Sequence, residues 1–227
     1  MMNPKMEVKR VLNKIWHLGP CSDIFMFHHV TTAPERELSL MLETEAFLRF
    51  LDRPHSYAAL EEVMQDKAYS GKAAITFDDG LLDAYTIGYP ALKERNIPFA
   101  LFVLSHKLGQ PGYLSKEMLL ELAADPLCTV GVHGTEHRVL TQVGEKERRE
   151  EIFVAKDELE QLLGEELPLF AYSNGRYDEN VLNMVQEAGY KAACAVAGRP
   201  LNPHFDLGPY AYPRLSVEEA TREMFRL

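Results

Sequence analysis

The chain has 227 residues, 46% of them hydrophobic and 26% charged, so it can bury a core of its own and is neither disordered nor fibrous. Its formal net charge of −10 argues against a phosphate-binding surface, and nucleic acid is not an expected partner. No membrane span or signal-peptide core is expected, because basic residues interrupt "MMNPKMEVKRVLNKIWHLGP" and the longest clearly apolar run is "FALFVL", Phe99 to Leu104.

In chain order, "DIFMFHHV" (Asp23 to Val30) reads as a strand, and "TEAFLRFLDRP" as a helix that opens at an N-cap-like Thr44 and ends before Pro54. "SYAALEEVMQDKA" reads as a second helix opened by Ser56. "AAITF" is a strand, "LLDAYTIGYPALKERN" a helical segment with a break at Pro90, and "FALFVL" another strand. "SKEMLLELAAD" is a helix, "CTVGV" a strand, and "EKERREEIFVAKDELEQLL" a long amphipathic helix closed by Gly164. The pattern ends with "LFAY", the helix "ENVLNMVQEA" between Asp178 and Gly189, "KAACAVA", and a last helix opened by Ser216 with Glu219 as its capping box.

No linker, repeat or low-complexity tract divides these elements, so the expectation is one domain over 1–227. Cys21, Cys128 and Cys194 are widely spaced and odd in number, with no Cys-x-x-Cys pair. They read as small buried residues in a reducing compartment, and the expected location is cytoplasmic.

Strands apolar on both faces and separated by helices pair in parallel with the helices outside. Roughly six or seven such units predict an α/β fold, an incomplete (β/α) barrel more than an open sheet. Ligands then gather at the carboxyl ends of the strands. Those ends carry His28 and His29, Asp78 and Asp79, His133, and Tyr172, Ser173 and Asn174. Adjacent strand residues point to opposite faces, so the two aspartates converge only where the backbone turns, which Gly80 permits. "HGTEH" sets His133 and His137 four residues apart. Two imidazoles and one carboxylate make a facial site for a divalent cation such as zinc, with positions open for water and substrate. Taken singly, the aspartates read equally well as carboxylates at a helix N-terminus and the histidines as surface groups.

At these residues the sequence resembles the polysaccharide deacetylases, the NodB-homology family 4 of the carbohydrate esterases. "TFDDG" (Thr76 to Gly80) is similar to the family's first motif and "HGTEH" to its H-[ST]-x-x-H, with Gly134 in place of the hydroxyl residue. "FAYSNGRYDENVLNMVQEAGYKAA" is similar to the third. The resemblance covers roughly residues 70–197, and places a core over about 70–227 with an N-terminal extension packed on it. It implies a deformed (β/α) barrel that hydrolyses an N-acetyl, sometimes O-acetyl, group on a sugar, so the expected partner is an acetylated carbohydrate. By the same resemblance Asp79, His133 and His137 are metal ligands, most simply for Zn2+. Asp78 is then the base that takes a proton from the attacking water, and the backbone N–H of Asn174 is the oxyanion donor, with Tyr172 and Ser173 beside the substrate.

The chain departs from the family pattern in several places. Ala171 stands where many members have an arginine that orients the base, and Arg214 in "YPRLSV" is the candidate replacement, its alternative being a surface salt bridge. The only tryptophan is Trp16, so the fourth motif is missing. The Leu-x-His that supplies the general acid is missing too, leaving His204, His28 or His29 as candidates. His17, His55 and His106 read as surface groups. A catalytically impaired homologue that binds metal and carbohydrate is the alternative reading. A phosphohydrolase is weaker, since it would want Asp-x-Asp.

Overall fold

A computed structural model describes residues 20–32, 40–203 and 206–217. The chain runs through β1 (Cys21–Phe27), β2 (His29–Thr31), β3 (Met41–Glu43), α1 (Thr44–Leu51), β4 (Ser56–Tyr57), α2 (Leu60–Gln65) and β5 (Ser70–Phe77). A π-helical turn (Ala84–Gly88) leads into α3 (Tyr89–Glu94), followed by β6 (Phe99–Leu104), α4 (Lys116–Ala123), β7 (Cys128–Gly134) and α5 (Glu145–Arg149). A second π-turn (Glu150–Val154) leads into α6 (Ala155–Leu163), then β8 (Leu169–Ala171), α7 (Glu179–Glu187), β9 (Ala192–Val196) and β10 (Tyr212–Ser216).

Seven parallel strands form the barrel in the order β1-β10-β9-β8-β7-β6-β5, and β1 pairs with β5 to close it. One strand fewer than the usual eight is what makes it incomplete; its hydrogen-bonded ring is continuous. Period-two alternation splits each strand between two cores. Ile24, Ala74, Ala100, Phe102, Leu169, Ala171, Cys194 and Tyr212 pack together inside the ring with Leu60, Val63 and Met64 of α2. Ile75, Phe77, Leu101, Val103, Val132 and Phe170 face the surrounding helices. Tyr212 Oη donates to Met64 O at 3.1 Å, so α2 plugs the end where the strands begin.

Several elements differ from the sequence expectation. Ser56 opens no helix: Ser56 and Tyr57 pair with Lys72 and Ala73 of β5, because the start of β5 has a free edge below the point where β6 joins it. Thr44 begins α1, but the capping position is Glu43, and its side chain makes no capping bond. Pro90 does not break its helix. It lies in the first turn of α3, where a missing N–H costs nothing. The long "EKERREEIF…" segment is helical throughout but widens into the π-turn at Glu150–Val154 before Gly164 ends it at φ 73°. Ser216 closes β10 and directly precedes a helical Val217, as expected for the start of a last helix, while Glu219 lies outside the described residues, as do Trp16, His17 and His204. The core does not begin near residue 70, since β1 sits between β5 and β10 as a barrel strand.

An aromatic cluster behind the strand ends fixes β1 and α1 to the barrel. Phe27 meets Phe47 at 5.3 Å and 82° and Phe50 at 5.3 Å and 77°, while Phe77 lies 5.9 Å from Phe47. Each such contact adds about 0.5–1.5 kcal/mol beyond area burial. Phe27 and Phe77 immediately precede His28 and Asp78, so this packing fixes where the polar residues start. His55 belongs to the same cluster, 5.2 Å from Phe25, and is not simply a surface group. Among the described residues no helix is long and apolar enough to cross a membrane.

Candidate metal centre and active site

The inward-facing rows of β5, β7 and β10 end in polar groups at the mouth of the barrel. Along β5 the row is Ala74, Thr76 and then Asp78, and along β10 it is Tyr212 and then Arg214. Asp78 N donates to Phe27 O at 3.0 Å, which extends the β1–β5 pairing one step beyond the strand. The chain then turns sharply, with Asp79 at φ 69° and Gly80 at φ 68°. Aspartate is one of the few residues that tolerates this left-handed region. Leu114 N donating to Gly80 O and Leu82 N to Gly112 O, both at 2.9 Å, hold the turn. Two neighbouring carboxylates therefore face one site.

His133 lies at a register slip in β7: Val103 pairs with Val132, but Leu104 pairs with Gly134. Such a bulge re-aims the intervening side chain. His133 Nδ1 donates to Ala171 O at 2.8 Å, which fixes the tautomer and leaves Nε2 with a lone pair. His137 sits at φ 66° and brings its ring to 5.0 Å from that of His133. Asp79 Oδ1 is 3.5 Å from His133 Nε2 and 3.7 Å from His137 Nε2. Ligand atoms about 2.0–2.1 Å from a tetrahedral ion stand about 3.3 Å apart, so the three residues fit a divalent cation with little adjustment. Asp79 Oδ1 and His133 Nε2 are buried and have no hydrogen-bond partner among the described residues. Buried polar atoms without partners are costly, and two of them converging on one point mark a place for a ligand. Burial and the neighbouring His133 push the pKa of His137 down, toward the neutral form that a metal ligand needs.

Arg214 is fully buried and grips Asp78 with both prongs, Nη1 to Oδ1 at 2.6 Å and Nη2 to Oδ2 at 2.7 Å. Nη1 also donates to Thr76 Oγ1 at 3.2 Å, and the guanidinium rests 5.3 Å above the Phe102 ring. It is thus no surface salt bridge. Burial pulls the Asp78 carboxyl up, but Arg214, with His133, outweighs it and holds the group well below the usual carboxylate range. The guanidinium arrives from β10, leaving position 171 on β8 to a small alanine.

Tyr172 and Ser173, expected beside the substrate, are 0% and 1% exposed. Tyr172 Oη donates to Tyr210 O and Ser173 Oγ to His133 O, so both brace the site from behind. Asn174 turns the chain at φ 56°, with Gly175 N occupied by Tyr172 O at 2.7 Å. The two histidines of "FHHV" separate. His28 is buried on the Asp78 side, whereas His29 is part-exposed with Nδ1 2.7 Å from Asp83 Oδ2. The hydrogen bond to Asp83 raises the pKa of His29 despite partial burial. His106 stands between Glu136 and Glu158, 3.4 and 3.3 Å away.

Two residues of the site escaped the sequence reading. Asp83 stands four residues after Asp79, in the helix that follows the Asp79–Gly80 turn, and an acidic residue that close behind the pair could have drawn notice. Glu151, buried against "HGTEH", carries no signal in an acid-rich helix.

The family model described as polysaccharide deacetylase matches residues 65–193, more than half of the chain. The chain belongs to the polysaccharide deacetylases. A curated relative, YxkH of Bacillus subtilis (strain 168), is 26% identical over 200 residues, which cover 86% of this chain and 70% of YxkH. Among solved structures, the Streptococcus pyogenes deacetylase PplD in complex with acetate superposes with a TM-score of 0.76 at 21% identity, over 90% of this deacetylase-family chain and 98% of PplD. IcaB from Ammonifex degensii gives 0.74 at 23%, over 91% and 96%. These two likenesses show the shared (β/α) barrel fold.

Proposed function

We propose that this chain is a zinc-type metal-dependent hydrolase that removes an acetyl group from the nitrogen of an amino sugar in a polysaccharide, oligosaccharide or lipid-linked glycan. The carrying observation is the Asp79, His133 and His137 cluster, with its donor atoms within 4.8 Å of one another, beside an Asp78 gripped by Arg214. Family membership supports the deacetylase chemistry.

Asp79 Oδ1, His133 Nε2 and His137 Nε2 would hold the cation. When bound, it supplies Lewis acidity at the acetyl carbonyl and lowers the pKa of water from about 15.7 toward about 7. The chain's own groups do the rest. Asp78 accepts the proton of the attacking water; a carboxylate has about four lone-pair sites, so the arginine fork leaves acceptor capacity toward the site. Arg214 fixes the orientation of that carboxylate. The N–H of Asn174 would donate to the developing oxyanion, a role typically worth about 2.7–4 kcal/mol. Breaking the C–N bond requires a proton on the leaving amine. His29 supplies it: its Nδ1 is held by Asp83, its Nε2 is the remaining donor, and its raised pKa favours the charged form. His28 then packs beside Asp78.

The test is acetate release by zinc-loaded protein from N-acetylated chito-oligosaccharides and O-acetylated sugars. Release with the N-acetyl set supports the proposal. Bound metal and bound sugar without release from any of them would leave the impaired homologue as the reading.

A further inference from the structure

The turn between His133 and His137 is held by a carboxylate from outside the motif. Glu151, in the π-turn Glu150–Val154, is 0% exposed. Its Oε2 accepts from Thr135 N at 3.0 Å and its Oε1 from Thr135 Oγ1 at 2.9 Å. The N–H of Glu136 is shared between both oxygens, at 3.1 and 3.3 Å. Arg138 Nη1 stands 3.4 Å from Oε1 and 2.7 Å from Glu150 Oε2. A buried carboxylate is tolerated only when hydrogen-bonded, and here the donors are chiefly the motif's own backbone. Bonds of this charge-assisted kind are roughly twice as strong as neutral ones.

The space that Glu151 fills exists because position 134 has no side chain. A Cβ on Gly134 would overlap Glu151 Oε2, and the residue's φ of 113° disfavours any other amino acid. The π-turn supplies the other half of the fit. It widens the helix where Glu151 turns inward and Glu150 turns out to Arg138. Gly134 and Glu151 therefore form one unit, in which a carboxylate reaches in from the next helix where the family's motif has a hydroxyl side chain.

We propose that Glu151 is a positioning residue for the candidate metal centre: its carboxylate sets the spacing of His133 and His137 through the backbone of Thr135 and Glu136, and Gly134 is the gap that admits it. The inference rests on the metal reading above. It makes the two positions interdependent, so neither can be exchanged alone without loosening the ligand set.

The experiment measures zinc affinity by competition with a chromophoric chelator, the absorption spectrum of the cobalt(II) form, and amide exchange at Thr135 and Glu136 in the metal-free protein. The variants are Glu151→Gln, which keeps shape and one acceptor oxygen, Glu151→Ala, Gly134→Ala, and the control Glu158→Gln. The expected result is a loss of about 10-fold in zinc affinity for the glutamine variant and about 100-fold for the alanine variant, the range for residues that orient ligands. The cobalt spectra should change, the two amides should exchange faster, and the control should match wild type. Folded Glu151→Gln or Gly134→Ala protein with wild-type zinc affinity and an unchanged cobalt spectrum would overturn the inference while leaving the metal reading intact. Rapid exchange of both amides in the wild-type protein would overturn it without any variant. Failure of the wild-type protein to bind zinc or cobalt would overturn both readings together.

Discussion

Arg214 and Asp78, 136 residues apart in the chain, meet as a buried two-pronged ion pair with contacts of 2.6 and 2.7 Å. Removing one partner of such a pair leaves the other charge stranded away from water, typically at a cost of about 3–5 kcal/mol. Arg214→Ala should lower stability by that order, read by urea denaturation. Arg214→Lys keeps the charge but loses the fork, and should cost about 10²-fold in kcat with zinc stoichiometry unchanged. Loss of zinc with kcat per bound metal unchanged would mean the arginine serves the ligands and not the base.

The same pair sets an acid-stability limit. Asp78 has its folded pKa depressed, so the stability it contributes is complete above the unfolded carboxylate value of about 3.9 and is lost as pH falls through the lower folded value. Once each curve is normalised to its neutral-pH stability, wild type should thus lose more of its stability on acidification below about pH 3.9 than Asp78→Asn, which lacks this titrating group.

Ligand and base should separate by mutation. Asp79→Ala or His137→Ala is expected to abolish stoichiometric zinc, measured by elemental analysis. Asp78→Asn is expected to keep zinc and lose about 10²–10⁴-fold in turnover. The reverse pattern would exchange the two aspartates' roles.

His29 should govern the alkaline limb of the pH profile. Its pKa is raised mainly by the hydrogen bond to Asp83, so the protonated acid persists to higher pH than for a free histidine. Activity should be present below the raised value and fall as pH rises through it. Asp83→Asn should move that fall to lower pH, and His29→Ala should remove about 10²-fold or more of kcat. An unmoved limb in Asp83→Asn would assign the proton to another group.

Chelation should abolish activity, and added zinc should restore it. Because the ion binds only the folded arrangement, zinc at about 100 times its Kd should stabilise the chain by about 2.7 kcal/mol, seen as a rise in Tm. The same zinc addition should leave the Tm of Asp79→Ala unchanged.

The barrel was legible because strands such as "FALFVL", apolar on both faces, alternate with amphipathic helices, and the cluster was legible because its residues lie just past such runs. β10 was not, since "YPRLS" contains a proline and an arginine that break an apolar pattern. Those residues are polar or constrained because this strand ends in the site. The two residues of β4 are too few to show any period. Tyr172 and Ser173 read as substrate contacts from their place after a strand, yet side chains at that level can turn into the wall as readily as into the cleft. Glu151 was invisible for a different reason: its importance comes from the absent side chain of Gly134, and only coordinates reveal such a complement.

The closing of the ring by β1 has a consequence for synthesis. Strand β1 leaves the ribosome first among the described strands, but one of its two neighbours, β10, follows nearly two hundred residues later. Until then the nascent barrel carries an open edge at Cys21–Phe27 and an aspartate without its guanidinium. The strand that seals the barrel also delivers Arg214, so completion of the fold and arming of the base are a single event.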